Sequence, residues 1–504
     1  MKNVLEYLER SARCHPERTA FADVRQEMTF AQLQRRAMEI GTCLIRQIDP
    51  CTPVALYLEK GTDAIAAMLG IVYAGGYYVT LDQRHPRARI MQILDTLQPA
   101  LILSDERSRN QVEAMETGIP CVEIKDLKGP ADLDALMKVR QEQLDIDPLY
   151  AIFTSGSTGA PKGVVVAHRS VIDFIDVFTS TFDITAEDVI GNQAPWDFDV
   201  SVKDIYSGLC AGACVQIIPK AYFSMPMRLL DFLCERQVTT LIWAVSALCI
   251  ISSLDGLAYR VPKTLNKIMF SGEVMPVRQL NIWRSHLPDA LYVNLYGPTE
   301  ITCNCTYHII DREYEETESI PIGKAFDNER VFLLDEQGNE VRMPEEVGEI
   351  CVSGTAVSLG YFRNPQQSGE RFVSNPLRPY WNEIMYRTGD LGRYDENGLL
   401  HFLSRKDFQI KHMGHRIELG EIEAVMQRMP GVERACCLYE DHHIVAFYCG
   451  TVSEKELRRA LRQELPAYMI PDHLYVLTQM PLNNNGKIDR KALQERRDGT
   501  DVQS

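Results

Sequence analysis

The sequence predicts an α/β protein: a large N-terminal domain of α/β subdomains with a β-barrel-like piece, followed by a small, mobile α+β C-terminal domain. Three observations predict it. Apolar strand-like runs alternate with amphipathic helical stretches from the N-terminus to about Tyr296, the pattern of largely parallel sheets covered by helices. From Pro321 the alternation gives way to short strands separated by turn residues. After Ser404 the pattern changes again, to a mixture of helix and strand. The length of 504 residues suits three or four units at about 150 residues each.

The elements follow in order. Residues 1–10 are charged and amphipathic, unlike a signal peptide. Thr29-Phe30 reads as a turn entering a helix over 32–45. A strand over 54–58, a helix over 64–72 and a strand over 100–104 form the first alternating unit, and a second α/β stretch runs from Val164 to Tyr296. Asp335-Glu-Gln-Gly338 and Asp395-Glu-Asn-Gly398 are turn signals inside the barrel-like piece. A helix over 418–429, a strand over 443–448 and a helix over 453–464 make up the last unit. We place the domain boundary between 1–405 and 406–504, with 405–408 as the junction. The polar tail after Leu493 is expected to fray.

Composition narrows the function. With 45% hydrophobic and 24% charged residues the chain is neither collagen, coiled coil nor bulk disorder. A net charge of −16 argues against a broad nucleic-acid footprint, because phosphate binding wants a basic face. The 14 cysteines are scattered and form no C-x-x-C pair, so free thiols in a reducing compartment are expected rather than zinc or a disulfide framework. No apolar run approaches the roughly 20 residues of a membrane span. A cytoplasmic protein, monomeric by default, is the expectation.

Four segments carry chemistry. Thr154-Ser-Gly-Ser-Thr-Gly-Ala-Pro-Lys-Gly163 lies between apolar strand-like runs. Its glycines free the backbone to turn N–H groups inward, its hydroxyls add donors, and Lys162 adds charge, which together make an anion nest. It is not a Walker A loop, since Pro161 precedes the lysine and a strand follows. Asn294-Leu-Tyr-Gly-Pro-Thr-Glu300 offers Tyr296 as a face for a base, Thr299 as a hydroxyl and Glu300 as a hard oxygen ligand for Mg²⁺. Tyr386-Arg-Thr-Gly-Asp390, followed by Ser404-Arg-Lys-Asp407, offers Asp390 to ribose hydroxyls; the bland reading is a turn aspartate paired with Arg387. Pro481-Leu-Asn-Asn-Asn-Gly-Lys487 can present Lys487 outward, and in isolation this would be a solvated lysine.

In this order and spacing, over about 10–493, the segments resemble the adenylate-forming superfamily of acyl-CoA synthetases, peptide-synthetase adenylation domains and luciferases. The resemblance extends through Met28-Thr-Phe30, Ala74-Gly-Gly-Tyr-Tyr-Val-Thr-Leu-Asp82, Gly348-Glu-Ile350, Gly360-Tyr361 and the run from Gln409 to Glu423. Asn192-Gln-Ala-Pro-Trp-Asp-Phe-Asp-Val-Ser-Val-Lys-Asp-Ile-Tyr206 is similar to the amino-acid-activating branch, in particular stand-alone D-alanine–carrier protein ligases. In that branch the aspartate matching Asp199 grips the substrate α-ammonium, which burial requires to have a counter-charge.

The resemblance implies two half-reactions. An amino-acid carboxylate attacks the α-phosphate of ATP to give an aminoacyl adenylate. The thiol of a carrier's phosphopantetheine then takes the aminoacyl group. It implies Lys487, Thr158 and Glu300 as catalytic residues, with Mg²⁺ on Thr158 and Glu300. Thr154, Ser155, Gly156, Ser157, Thr158, Gly159, Lys162, Tyr296, Thr299, Asp390, Arg405 and Lys487 would hold ATP. It further implies a rotation of the C-terminal domain hinged at Asp407, with Gly414 lining the thiol tunnel. The 17 residues after Lys487 lack a serine-bearing carrier motif, so a separate carrier protein is the expected partner. An acyl- or aryl-CoA synthetase is the alternative, disfavoured by Asp199.

The same resemblance assigns the substrate pocket to Asp199, Val200, Lys203, Ile242, Met269, Ser271, Leu295, Cys303 and Asn304. Ser271 stands where D-alanine ligases carry a cysteine, Lys203 where an apolar residue is usual, and Cys303-Asn304 where small or apolar residues are usual. D-Alanine and another small or polar amino acid therefore both stay open. Lys203 could pair with an acidic or amide substrate side chain. It could instead be structural, satisfied by Asp199 one helical turn away, or snorkel outward.

Overall fold

The protein, described from a computed structural model, is defined over residues 1–156, 161–406, 408–482 and 488–498. It divides into two compact units. The first comprises Met1–Gln83, Gln98–Ile152 and Gly163–Lys406; the second comprises Arg84–Leu97, Phe153–Lys162 and Asp407–Ser504.

The first unit contains two sheets built mainly of parallel strands. In the seven-stranded sheet, Pro53–Tyr57 pairs in parallel with Tyr77–Thr80 and with Leu101–Ser104. In the nine-stranded sheet, Val189–Asn192, Thr240–Ala244, Lys267–Ser271 and Leu291–Tyr296 run parallel, and antiparallel strands close both edges. A single apolar core holds Leu56, Leu103 and Val164 of one sheet together with Ile190, Ile242 and Met269 of the other, and includes helices Phe30–Leu44, Thr62–Tyr73, His168–Thr181 and Val200–Ala211. The alternation read from sequence thus corresponds to helices buried against sheets, and the strands are apolar on both faces because both are covered.

Local sequence sets the helix starts. Thr29 caps Phe30–Leu44 by accepting from the Gln32 amide, while the Gln32 side chain accepts from the Thr29 amide. This helix crosses Thr62–Tyr73 closely. A Cβ on Gly70 would lie 2.5 Å from Ile40 Cγ2, and one on Gly41 would lie 2.6 Å from Tyr73 Cβ. Only glycine permits that approach.

The piece expected to be barrel-like is a six-stranded antiparallel sheet ordered from Glu340–Val341 through Glu329–Leu334, Gly348–Gly354 and Ile384–Tyr394 to Phe372–Ser374, with Leu400–Arg405 also on Ile384–Tyr394. Among the described residues its pairing path does not close on itself. Both turn signals are turns: the Gly338 and Gly398 amides donate to the carbonyls of Asp335 and Asp395, and both glycines have positive φ.

In the second unit, the hairpin Val432–Glu440/His443–Gly450 turns at Asp441 and His442, and His473–Val476 adds in parallel. Helices Leu419–Arg428 and Glu454–Glu464 pack against this sheet, the latter started by a Ser453–Glu456 capping box. All 14 cysteines are free thiols. Among the described residues no helix is long and apolar enough to cross a membrane.

Candidate active site

Strand register brings four of the nine expected substrate residues, Ile242, Met269, Ser271 and Leu295, onto one sheet face. Ile242 is the register partner of Met269, and Met269 of Val293. Ser271 and Leu295 lie two residues beyond Met269 and Val293, so period-2 alternation turns all of them to the same side. That side faces helix Val200–Ala211: Ile242, Met269, Val293 and Leu295 share a core with Val200, Val202 and Cys303, whereas Leu241, Trp243, Ile268 and Phe270 belong to the core on the opposite face.

Asp199 is the residue before that helix, and its side chain makes no capping hydrogen bond. It is 7% exposed, so its carboxylate is held inside the protein rather than at the surface. One turn on, Lys203 is fully buried. Its Nζ donates to Asn304 Oδ1 at 2.6 Å and to Ser271 Oγ at 3.4 Å. Lys203 therefore crosses from the helix to two other expected pocket positions and does not snorkel.

Asn304 reaches Lys203 through a contorted backbone. Thr302 and Cys303 both have positive φ, 54° and 84°, and neither is glycine. Such conformations cost on the order of 1–3 kcal/mol each. The Thr302 hydroxyl, donating to the Ala356 carbonyl at 2.6 Å, helps hold the turn. A Cβ on Gly297 would lie 2.5 Å from Asn304 Cα, so the returning chain packs directly on the Tyr296-Gly297 backbone. Burial pushes the Cys303 thiol up, which keeps it neutral.

Beside Lys203 lies a polar network that the sequence reading did not single out. Asn192 Nδ2 donates to Asp204 Oδ2 at 2.6 Å, and Asn192 Oδ1 accepts from Trp196 Nε1 at 3.3 Å. Lys60 Nζ donates to the carbonyls of Asn192 and Gln193 at 3.3 and 3.2 Å. These bonds brace the segment leading into Asp199. Asp204 Oδ1 and Ser207 Oγ are buried with no hydrogen-bond partner among the described residues. Burial pushes the Asp204 carboxyl up to about 7, opposed by the Asn192 hydrogen bond and the charges of Lys203 and Lys60. The available signal was two adjacent charges within an otherwise apolar helical stretch, which must find partners if that stretch is buried.

The residues expected at the nucleotide form a second cluster in the same unit. Asp390 and Arg405 are register partners, and the Arg405 guanidinium pairs with Asp390 Oδ1. The Tyr296 hydroxyl donates to Asp390 Oδ2. Burial, followed by the Asp390 charge, raises the Tyr296 phenol far above its ordinary value, so it serves as a donor. Arg387 is not the partner of Asp390. It pairs with Glu349, which also accepts from Lys406, and these bonds outweigh burial to hold the Glu349 carboxyl below its ordinary value. Thr299 and Glu300 lie in the short 3₁₀ turn Thr299–Ile301, both buried. Glu300 Oε1 accepts from the Tyr361 hydroxyl at 2.7 Å, a partner the sequence reading did not assign. A carboxylate is the hard oxygen donor that Mg²⁺ takes, so Glu300 fits such an ion chemically.

In the second unit, Thr154 ends strand Pro148–Thr154, and Lys162 is buried at the start of Lys162–Ala167. Ser155 Oγ donates to the Arg416 carbonyl at 2.7 Å and accepts from the Glu418 amide at 3.1 Å. Gly156 is buried beside it. Gly414 has φ +79° in the two-residue turn between Gln409–His412 and His415–Glu418. Ser157, Thr158, Gly159, Asp407 and Lys487 lie outside the described residues.

Residues 8–362 match the AMP-binding enzyme family, and residues 421–487 match the AMP-binding enzyme C-terminal domain. The chain belongs to the AMP-binding enzyme family. It is 31% identical over 502 residues to tyrocidine synthase 1 of Brevibacillus parabrevis, covering 98% of this chain and 45% of that protein. The chain thus spans less than half the length of the curated relatives named first among its matches. Its fold is similar to that of IdnL1, at 28% identity and a TM-score of 0.83, covering 95% of this chain and 99% of that one. It is similar also to PA1221, a nonribosomal peptide synthetase protein containing adenylation and carrier domains, at 27% identity and a TM-score of 0.82, covering 99% and 98%. Within the adenylate-forming superfamily its likeness is to the amino-acid-adenylating branch.

Proposed function

We propose that the chain activates an amino acid with ATP and passes the aminoacyl group to the phosphopantetheine thiol of a carrier protein. One observation carries this reading. Asp199, a carboxylate 7% exposed and not used as a helix cap, stands at the start of the helix whose buried face meets the Ile242–Met269–Leu295 surface. A buried carboxylate there is the counter-charge an α-ammonium needs, and a fatty or aryl acid has no group to match it. The likeness to adenylation proteins supports the same reading.

In the first half-reaction a carboxylate oxygen of the amino acid attacks the α-phosphorus of ATP and the bond to pyrophosphate breaks. Two anions must meet, so the protein's main task is to neutralise charge where the bond forms. Lys487 takes the carboxylate and α-phosphate oxygens. Lys162 and the loop from Thr154 to Gly159 take the phosphates. Tyr296, Thr299, Asp390 and Arg405 hold the adenosine, with Asp390, which Tyr296 and Arg405 fix in place, as the acceptor for the ribose hydroxyls. Glu300 with Thr158 would hold Mg²⁺, which supplies further charge neutralisation. In the second half-reaction the carrier thiol attacks the acyl carbon, the C–O bond to phosphate breaks and AMP leaves. We assign Asp407 as the hinge between a 1–405 domain and a 406–504 domain, and Gly414 to the path of the pantetheine arm.

The test is amino-acid-dependent ATP–pyrophosphate exchange, followed by loading of a phosphopantetheinylated carrier. Exchange with an amino acid, nearly abolished by Lys487→Ala while ATP binding persists, is expected. Unchanged exchange in Lys487→Ala, or thioester formation only with fatty or aryl acids and coenzyme A, would overturn the proposal.

A further inference from the structure

Resting on the reading of Asp199 as the α-ammonium site, the size of the substrate side chain follows from what Lys203 fills. Lys203 is among the largest fully buried side chains of the protein. Its four methylenes run from the helix toward the sheet, and its ammonium ends on Asn304 and Ser271. Both of these acceptors are neutral. Lys203, Ile242 and Met269 show no surface to water, Asn304 shows 1% and Ser271 3%. What exposure the cluster has lies at its opposite end, on Asp199 at 7% and Val200 at 6%.

We propose that Lys203 is a specificity-determining residue that acts as a filled floor, restricting the substrate to an amino acid whose side chain is no larger than a hydroxymethyl group. Its hydrogen bonds fix the plug in place. Asn304, held by the contorted turn at Thr302 and Cys303, gives the shorter bond, and Ser271 gives the second from the neighbouring sheet. An acidic substrate side chain would have to enter space the lysine's own methylenes occupy to reach an ammonium already bonded to Asn304 and Ser271. Room for each additional methylene would have to come from a rigid, close-packed interior.

The experiment is ATP–pyrophosphate exchange on the full chain with glycine, both enantiomers of alanine and serine, and valine, leucine, methionine, aspartate, glutamate and glutamine. The wild type is expected to work with glycine, alanine or serine only. Lys203→Ala is expected to gain exchange with valine, leucine or methionine by about tenfold or more, the scale on which a pocket discriminates methylenes. Lys203→Met keeps the volume without the charge and is expected to keep the preference for small side chains, whatever its rate. Wild-type exchange strongest with aspartate or glutamate and lost in Lys203→Met would overturn the plug and make Lys203 a counter-charge. A folded Lys203→Ala with no gain for larger side chains would also overturn it. No exchange with any amino acid would instead overturn the amino-acid reading itself, and the plug with it.

Discussion

Substituting Asp204 by Asn should stabilise the first unit more at pH 8 than at pH 5. Asp204 is fully buried, with one oxygen bonded to Asn192 and the other without a hydrogen-bond partner among the described residues. Burial raises its carboxyl from the ordinary 3.8 to about 7, although Asn192, Lys203 and Lys60 pull the other way. At about 1.4 kcal/mol per pH unit, ionising this group in the folded protein costs on the order of 4 kcal/mol. The sign follows from proton counting. Between about pH 4 and 7 the folded state holds a proton that the unfolded state has released, so stability falls as pH rises through that window. Above it both states are ionised and the loss is complete. The variant Asp204→Asn is neutral throughout, and its carbonyl can still accept from Asn192 Nδ2. Urea unfolding followed by tryptophan fluorescence reads this unit selectively, because Trp196, Trp243, Trp283 and Trp381 all lie in it. The wild-type midpoint should fall between pH 5 and 8 by more than that of the variant, so the difference between the two should be smaller at pH 5 than at pH 8. Parallel pH profiles, or a variant less stable at pH 8, would refute the reasoning.

Two further outcomes can be measured. Tyr296→Phe removes a buried donor from Asp390, a loss of about 1.4 kcal/mol, and should raise the KM for ATP about tenfold with little change in the KM for the amino acid; equal changes in both would count against a nucleotide role. Gly70→Val forces a Cβ to within 2.5 Å of Ile40 Cγ2 and should destabilise the first unit by about 1–3 kcal/mol, read as a lower urea midpoint; an unchanged midpoint would show that the two helices can separate freely.

The comparison of sequence and structure is clearest at three places. The helix entered at Thr29 was legible because its signals are local: a threonine followed three residues later by glutamine satisfies two orphan amides wherever the helix packs. The two aspartate–glycine turns were legible for the same reason, since glycine at positive φ is a property of the turn alone. The partner of Asp390 was not. Sequence proximity offered Arg387, whereas antiparallel register places Arg405 opposite Asp390 and sends Arg387 to Glu349. Register is a relation between strands, and it is fixed by the whole sheet.

The sequence by itself determined the α/β class, the order of the chemical segments and the family they resemble, because these rest on local periodicity and on motifs contiguous in the chain. It also put Lys203 one turn from Asp199, but helical spacing fixes only which residues share a face and is silent on what lies across from them. Only the tertiary structure decided that Lys203 ends on Asn304 and Ser271, that Asp204 and Asn192 brace the approach to Asp199, and that Tyr361 holds Glu300. Each of these contacts joins residues from different elements. A buried polar group must find its partner among whatever the packing brings near, and the chain reveals that only once it is folded.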